Sequence, residues 1–195
     1  MTKEITLPKP KEKGLTSIEE TLNKRRSIRD YKKGPLNLVE ISQLLWAASG
    51  KNLYGRTAPS AGATYPLETY LVVGDVEGLE PGIYYYSYSR HSLGSIKEQD
   101  IRNRLSQTAL GQRMIERASI SIIIAADYGR TTSSYGQRGI RYVHMEVGHV
   151  GQNLSLQAAA LNLGTVMIGA FEDSQVKQIL GIKEEPLYII PVGKI

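Results

Sequence analysis

The stretch from about Arg138 to Leu161 constrains this chain more than any other. No proline interrupts it, and Val143, Val147, Val150, Leu154, Ala158 and Leu161 recur at helical intervals. That pattern predicts one helix, roughly 35 Å long at a rise of about 1.5 Å per residue. A rod of that length spans a whole small domain, so it has to run through the core or along a subunit interface. Alanines at 158, 159 and 160 permit close packing against it. A sequence of 195 residues, 41% hydrophobic and 22% charged, supplies enough apolar material for a single globular domain around such a helix.

Other elements follow from capping and periodicity. Ser17 with Glu20 three residues later reads as a capping box opening a helix over roughly Ile18 to Arg26, closed by Gly34-Pro35 beyond it. Asn37 with Glu40 caps a second helix, in which Leu38, Ile41, Leu45 and Ala48 keep helical spacing up to Gly50. A long loop, Lys51 to Pro66, follows. Thr69 to Val73, Gly82 to Tyr88, Ile120 to Ala126, Thr165 to Ile168 and Leu187 to Val192 read as strands, the third apolar enough to be central. Short helices are expected around Asp100 to Leu105, around Gly111 to Arg117, and from Asp173 to Leu180 before Gly181. Tyr128 to Gly136 reads as a polar loop, and residues 1–14, with four lysines around Pro8 and Pro10, as a flexible or draped basic arm. Strands and helices mix without a regular βαβ repeat or a Gly-rich dinucleotide fingerprint, which points to an α+β domain.

Side-chain chemistry excludes several function classes. With no cysteine there is no disulfide, thiolate nucleophile or Fe–S ligand. His144 and His149 lie five apart on the long helix, about 500° of rotation, so they cannot form the one-faced pair of a zinc helix. His144-Met145-Glu146 shares the His-x-Glu pattern of zinc deaminases, but that chemistry needs two cysteine ligands. Ser60 lacks the glycine pattern of a nucleophile elbow, and no Walker motif is present. The net charge of +5 comes from dispersed basic residues without a nucleic-acid signature. No apolar run approaches the roughly 20 residues needed to span a bilayer, which points to a cytoplasmic protein without a membrane partner. Hard chemistry would therefore have to come from a bound cofactor.

One cluster suits such a cofactor. Lys24-Arg25-Arg26-Ser27-Ile28-Arg29 gathers four cations and a hydroxyl at a helix end. Alone, it fits dipole compensation and a solvated basic face. Arginine forks also bind phosphate oxygens bidentately, with serine as a neutral donor.

Three segments together settle between these. Arg25 to Arg29, the run Pro59-Ser60-Ala61-Gly62-Ala63-Thr64-Tyr65-Pro66-Leu67-Glu68, and Leu163-Gly164-Thr165-Val166-Met167-Ile168-Gly169-Ala170-Phe171 resemble the FMN-dependent nitroreductase family. The second run and Pro81-Gly82-Ile83-Tyr84-Tyr85-Tyr86 are similar to its SagB-type dehydrogenase and oxidase branch. The resemblance covers about Ser17 to Lys194. It implies a nitroreductase-like α+β fold over residues 15–195, with a central, mostly antiparallel sheet flanked by helices. It also implies an intertwined homodimer with two FMN molecules at the interface. Carried over position by position, Arg25, Arg26, Ser27 and Arg29 hold the FMN phosphate and ribitol. Pro59, Ser60, Ala61 and Gly62 form the loop that the second subunit lays on the isoalloxazine ring. Gln112 meets the pyrimidine edge, Gly169 and Ala170 turn backbone amides to the N5 and O4 edge, and Lys194 adds a phosphate contact. The implied activity is a ping-pong transfer of hydride from NAD(P)H through flavin N5 to a small acceptor such as a nitro compound or quinone. The alternatives are oxidation of azoline rings in a modified peptide, and a non-catalytic FMN-binding or sensing module.

Overall fold

Seven consecutive buried residues, Ile120–Ala126 (β5), form the centre of the sheet, as their unbroken apolarity requires. The computed structural model describes residues 4–195. β5 pairs antiparallel with β2 (Leu67–Val73) on one side and with β7 (Glu185–Lys194) on the other. Outward from β2 lie β3 (Gly82–Ser87), β4 (Ser92–Lys97) and β1 (Glu4–Thr6); outward from β7 lies β6 (Leu163–Thr165). Every pairing is antiparallel, giving the order β1-β4-β3-β2-β5-β7-β6.

Strand alternation sends two sets of side chains to opposite faces. Ile120, Ile122, Ile124, Leu71, Val73, Ile190 and Val192 pack with helices α2 (Leu38–Ser49) and α6 (Arg138–Ala160). Ile123, Ala125, Val72, Ile83 and Ile189 pack with α3 (Arg102–Thr108), α4 (Met114–Arg117) and α7 (Asp173–Leu180). The result is three layers, helix, sheet and helix, with the 23-residue α6 as the long rod of one outer layer. Gly151 lets it lie close, since a Cβ there would stand 3.2 Å from both Met167 and Tyr188.

Several expectations are corrected. The first helix, α1 (Ile18–Lys24), stops short of Arg26, and Arg25 already has non-helical angles as its C-cap. Tyr128 to Gly136 is not a loop but helix α5 (Tyr128–Tyr135), opened by the Asp127 carboxylate accepting from the Gly129 amide. Thr165 to Ile168 is not one strand: β6 ends at Thr165, and Ile168 makes a separate bridge to Ile189. The long loop Lys51 to Pro66 contains a single 3-10 turn, Ala61–Ala63. Within residues 1–14, Glu4–Thr6 joins the sheet edge and Leu7 is buried. Among the described residues no helix is long and apolar enough to cross a membrane.

Candidate functional site

Beyond α1 the chain runs extended across the β6 edge. The Ile28 amide donates to the Thr165 carbonyl at 2.9 Å, and the Lys32 amide to the Lys194 carbonyl at 2.9 Å. The Tyr31 hydroxyl donates to the carbonyls of Ile28 and Pro191. Two glycines admit this crossing: a Cβ on Gly164 would stand 2.8 Å from Ile28, and one on Gly193 would stand 2.8 Å from Tyr31. Ile28 and Tyr31 thus face the sheet, leaving Arg26, Ser27 and Arg29 exposed. These three line a cavity of about 460 Å³ together with Ile28, Asp30, Tyr31, Lys32 and Ile195, the Asp30 carboxylate lying 3.9 Å from Arg117. Among the described residues, no ion pair involves Arg25, Arg26 or Arg29. Lys24, by contrast, is tied to Glu20 at 2.5 Å.

Two residues of the expected phosphate set are placed differently. Arg25 caps α1 and does not line the cavity. The Lys194 ammonium pairs with Glu40 Oε1 at 2.6 Å, with both side chains largely shielded. A cation already neutralised by a carboxylate has little attraction left for a phosphate.

The strand that anchors Ile28 leads into Gly169 and Ala170. From Thr165 to Ala170 the backbone reaches at most roughly 18 Å, so one short segment joins the cation cavity to this pair. Both residues are exposed, and among the described residues no protein group accepts their N–H bonds. A Cβ on Gly169 would meet only Tyr188, at an ordinary 3.8 Å, so packing does not demand glycine there. Gln112 reaches this point from the opposite helical layer: its amide nitrogen donates to Ala170 O and to Ala109 O, each at 2.9 Å. The residues Gln112, Gly169 and Ala170, singled out separately in the sequence, therefore form one cluster.

The Pro59 to Gly62 segment leads directly into a tight turn with strained backbone. Gly62, Ala63 and Tyr65 have φ of 57°, 53° and 45°, a region that non-glycine residues adopt at a cost of about 1–3 kcal/mol each. Locks surround it. Ser60 Oγ accepts from the Tyr65 amide at 2.9 Å, Thr64 Oγ1 pairs with Thr131 at 2.8 Å, and Arg130 donates to the Tyr65 carbonyl at 3.0 Å. Arg130 is itself held by Glu68 at 2.5 Å, and Glu68 also accepts from the Tyr85 hydroxyl, whose pKa burial pushes up to about 12 with that carboxylate's help. The Tyr135 hydroxyl covers Gly62 so closely that a Cβ would stand 2.5 Å from it. Arg56 stacks over the rings of Tyr65 and Tyr88, at 4.5 and 3.6 Å from their centroids.

Sequence reading passed over Arg56, Arg130, Tyr135 and Glu146. The last left a signal: Glu146 falls between Val143 and Val147 on the apolar stripe of the long helix, and it is only 6% exposed. Burial raises its carboxyl's pKa, while the nearby Ser60 side chain and the field of Arg56 oppose that rise.

The chain as a whole has counterparts among known proteins. A nitroreductase-family model matches residues 22–194. MJ1384 of Methanocaldococcus jannaschii, a provisionally named nitroreductase, is 51% identical over 195 residues, covering 99% of this chain and 97% of that protein. A crystal structure of another provisionally named nitroreductase, from Anabaena variabilis, superposes with a TM-score of 0.88 at 35% identity, covering 99% of this chain and 42% of that one. The trifolitoxin operon protein TfxC of Rhizobium leguminosarum bv. trifolii is 26% identical over 199 residues, covering 90% of this chain and 55% of its own. This chain thus spans about half the length of the latter two. With the family model extending over nearly the whole domain and one relative half identical from end to end, the chain belongs to the nitroreductase family.

Proposed function

We propose that this nitroreductase-family oxidoreductase is an FMN enzyme acting as a homodimer, with NAD(P)H as the electron donor and a small nitro compound, quinone or similar molecule as acceptor. The observation that carries the reading is the cavity lined by Arg26, Ser27 and Arg29, whose arginines have no carboxylate partner among the described residues. The donor set fits a phosphate monoester: two guanidinium forks and a hydroxyl, beside a segment leading to free backbone amides. When bound, FMN supplies the two-electron chemistry, taking hydride from the nicotinamide and passing it to the acceptor. Arg26, Ser27 and Arg29 bind its phosphate, with Arg25 close behind at the helix end. The N–H groups of Gly169 and Ala170 offer fixed dipoles where negative charge develops on the ring, and Gln112 holds the Ala170 peptide in place. Pro59, Ala61 and the backbone at Ser60 and Gly62 form the wall that the partner subunit lays on the ring. Lys194 stays with Glu40 and serves structure.

The homodimer draws support from an apolar groove of about 770 Å³ between α1, α2 and α6, lined in part by Leu15, Ile18, Val39, Trp46 and Leu156. Leu15, Ile18 and Val39 are exposed in the single chain. An apolar patch of this kind marks an interaction surface. A second reading, removal of hydride from an azoline ring of a modified peptide with oxygen as final acceptor, follows from the SagB-type motifs and is favoured by the likeness to TfxC. Titration of the protein with FMN tests the cofactor site. Replacing both Arg26 and Ser27 with alanine should weaken FMN binding at least tenfold, each charge-assisted bond being worth about 1.5–3 kcal/mol. An unchanged affinity in that double variant would refute the assigned phosphate site.

A further inference from the structure

The turn that faces the flavin in the proposed function is splinted by α5, a helix with one buried residue, Thr131, among its eight. The helix follows the strained turn in antiparallel order. Tyr135 covers Gly62, Thr131 Oγ1 meets Thr64 Oγ1 at 2.8 Å, and Arg130 Nη1 donates to the Tyr65 carbonyl at 3.0 Å. Gly62, Ala63 and Tyr65, the residues at positive φ, all lie within the stretch that α5 spans in this way. Of the three contacts, only the one from Arg130 is made by a charged group, and no part of the proposed function uses that charge.

The Arg130 guanidinium reaches acceptors in three directions. Nη1 serves the Tyr65 carbonyl, Nη2 pairs with Glu68 Oε1 at 2.5 Å, and Nε lies 3.4 Å from Asp127 Oδ2. Glu68 is itself fixed: it sits on β2 opposite Ala125 of β5, and its Oε2 accepts from the Tyr85 hydroxyl at 2.8 Å. Its side chain is only 12% exposed, and among the described residues no other cation lies within 4.0 Å of it. Asp127 holds the start of α5 through the Gly129 amide, and its own amide donates to the Pro66 carbonyl. A planar fork of donors meets three such acceptors at once, whereas a lysine ammonium is a compact point charge without that spread. One side chain thus ties the Tyr65 peptide to both the sheet and α5. A non-glycine residue at φ 45° keeps that angle only where surrounding contacts over-determine it.

We infer that Arg130 is a positioning residue for the Pro59 to Tyr65 segment, acting through the Tyr65 carbonyl, and that Glu68 is the group that aims it. This rests on the proposed FMN site only for its consequence, weaker flavin binding when the tie is cut. The fork, not the charge, performs the positioning, so Arg130→Lys should not preserve it. Arg130→Met alone would strand the shielded Glu68 carboxylate, which is destabilising by itself. Combining it with Glu68→Gln removes the stranded charge and leaves the Tyr85 hydroxyl an acceptor, so the double variant separates loss of the tie from loss of the fold.

Two measurements on the full chain test this. The amides of Ala63, Thr64 and Tyr65 are each hydrogen-bonded inside the turn and report its shape. In the flavin-free protein their hydrogen exchange should speed up about tenfold in Arg130→Met/Glu68→Gln and in Arg130→Lys, the scale of one lost hydrogen bond to a charged group, while the amides of β5 keep wild-type protection. By equilibrium dialysis, the FMN dissociation constant should rise about tenfold in the same two variants. Wild-type turn exchange in the double variant, recovery of both readouts by lysine, or acceleration in β5 equal to that in the turn would overturn the inference. Should the double variant fail to fold, Arg130→Lys carries the same test, because it keeps a cation beside Glu68. Faster turn exchange in the variants of a protein that binds no FMN even as wild type would retain Arg130's role and refute the cofactor reading; normal FMN binding with unchanged exchange would do the reverse.

Discussion

Gly164 shows how a missing side chain sets the position of the charged ones. The Ile28 side chain occupies the space where a Cβ would lie, and Ile28 stands between Ser27 and Arg29. Replacing Gly164 with alanine puts that Cβ 2.6 Å from Ile195 and 2.8 Å from Ile28, so the basic segment must lift. We predict a stability loss of about 1–3 kcal/mol in denaturant unfolding, typical of overpacking, together with weaker FMN binding in titration. At this scale the sequence singled out Arg26, Arg29, Gln112 and the Gly169-Ala170 pair, which the fold gathers into two clusters. It misled where a partner lies far along the chain. Nothing near Lys194 announces that Glu40 neutralises it, 154 positions away. Glu146 stands out in the sequence as a polar residue on an apolar stripe, but its burial is visible only in the folded chain.

Elements with their own capping chemistry were legible from sequence. The Asn37 and Glu40 box that opens α2 forms in both directions, at 3.0 and 2.9 Å, and α6 matches its apolar period to within a residue. Helix α5 was missed because only Thr131 of its eight residues is buried and Tyr128 packs against the core at its first position, too little for an apolar period to read. Strand β4 begins and continues with small residues in Ser92-Leu93-Gly94-Ser95, and β1 is a strand only because β4 offers it an edge. The attachment of β1 leads to a pH prediction. His91 fastens the chain after β1: its Nε2 meets Ser42 Oγ at 2.7 Å and the Pro8 carbonyl at 3.1 Å, its Nδ1 meets the Tyr86 hydroxyl at 2.8 Å, and its carbonyl accepts from the Leu7 amide. Burial lowers its pKa below the ordinary value near 6.5, outweighing the Pro8 bond. The unfolded or detached form then binds the proton more readily. The latch is at full strength above about pH 6.5 and weakens as pH falls through the window beneath it. Amide exchange at Glu4 to Leu7, corrected for intrinsic rates, should be faster at pH 5.5 than at pH 7.5, and His91→Gln should abolish the difference. Equal protection at both pH values in the wild type would refute the latch.

As a whole, the molecule places two proposed ligand contacts at one end of its sheet and a third in a turn tied to helix α5. The Ile28 amide ties the basic segment to Thr165 at the end of β6, from which the chain continues to the Gly169-Ala170 pair, while Gln112 closes in from the second helical layer. The turn at Pro59 to Gly62 is held by α5 and lies against α6. In a homodimer, each turn would meet the flavin anchored by the other subunit, and the apolar groove between α1, α2 and α6 would be covered. The layers and the antiparallel sheet were predictable from apolar runs and resemblance; the registers were not, because strand partners are chosen by contacts that only the folded chain contains. Anaerobic absorption titration of the purified protein with NADH and then NADPH tests the central claim most directly. The account predicts a yellow protein carrying FMN in equal number to its chains, with flavin bands that bleach with at least one nicotinamide and return when a nitro compound or quinone is added. Bound flavin that neither nicotinamide reduces would turn the reading toward azoline oxidation or a non-catalytic module, and a colourless protein that takes up no added FMN would contradict the account outright.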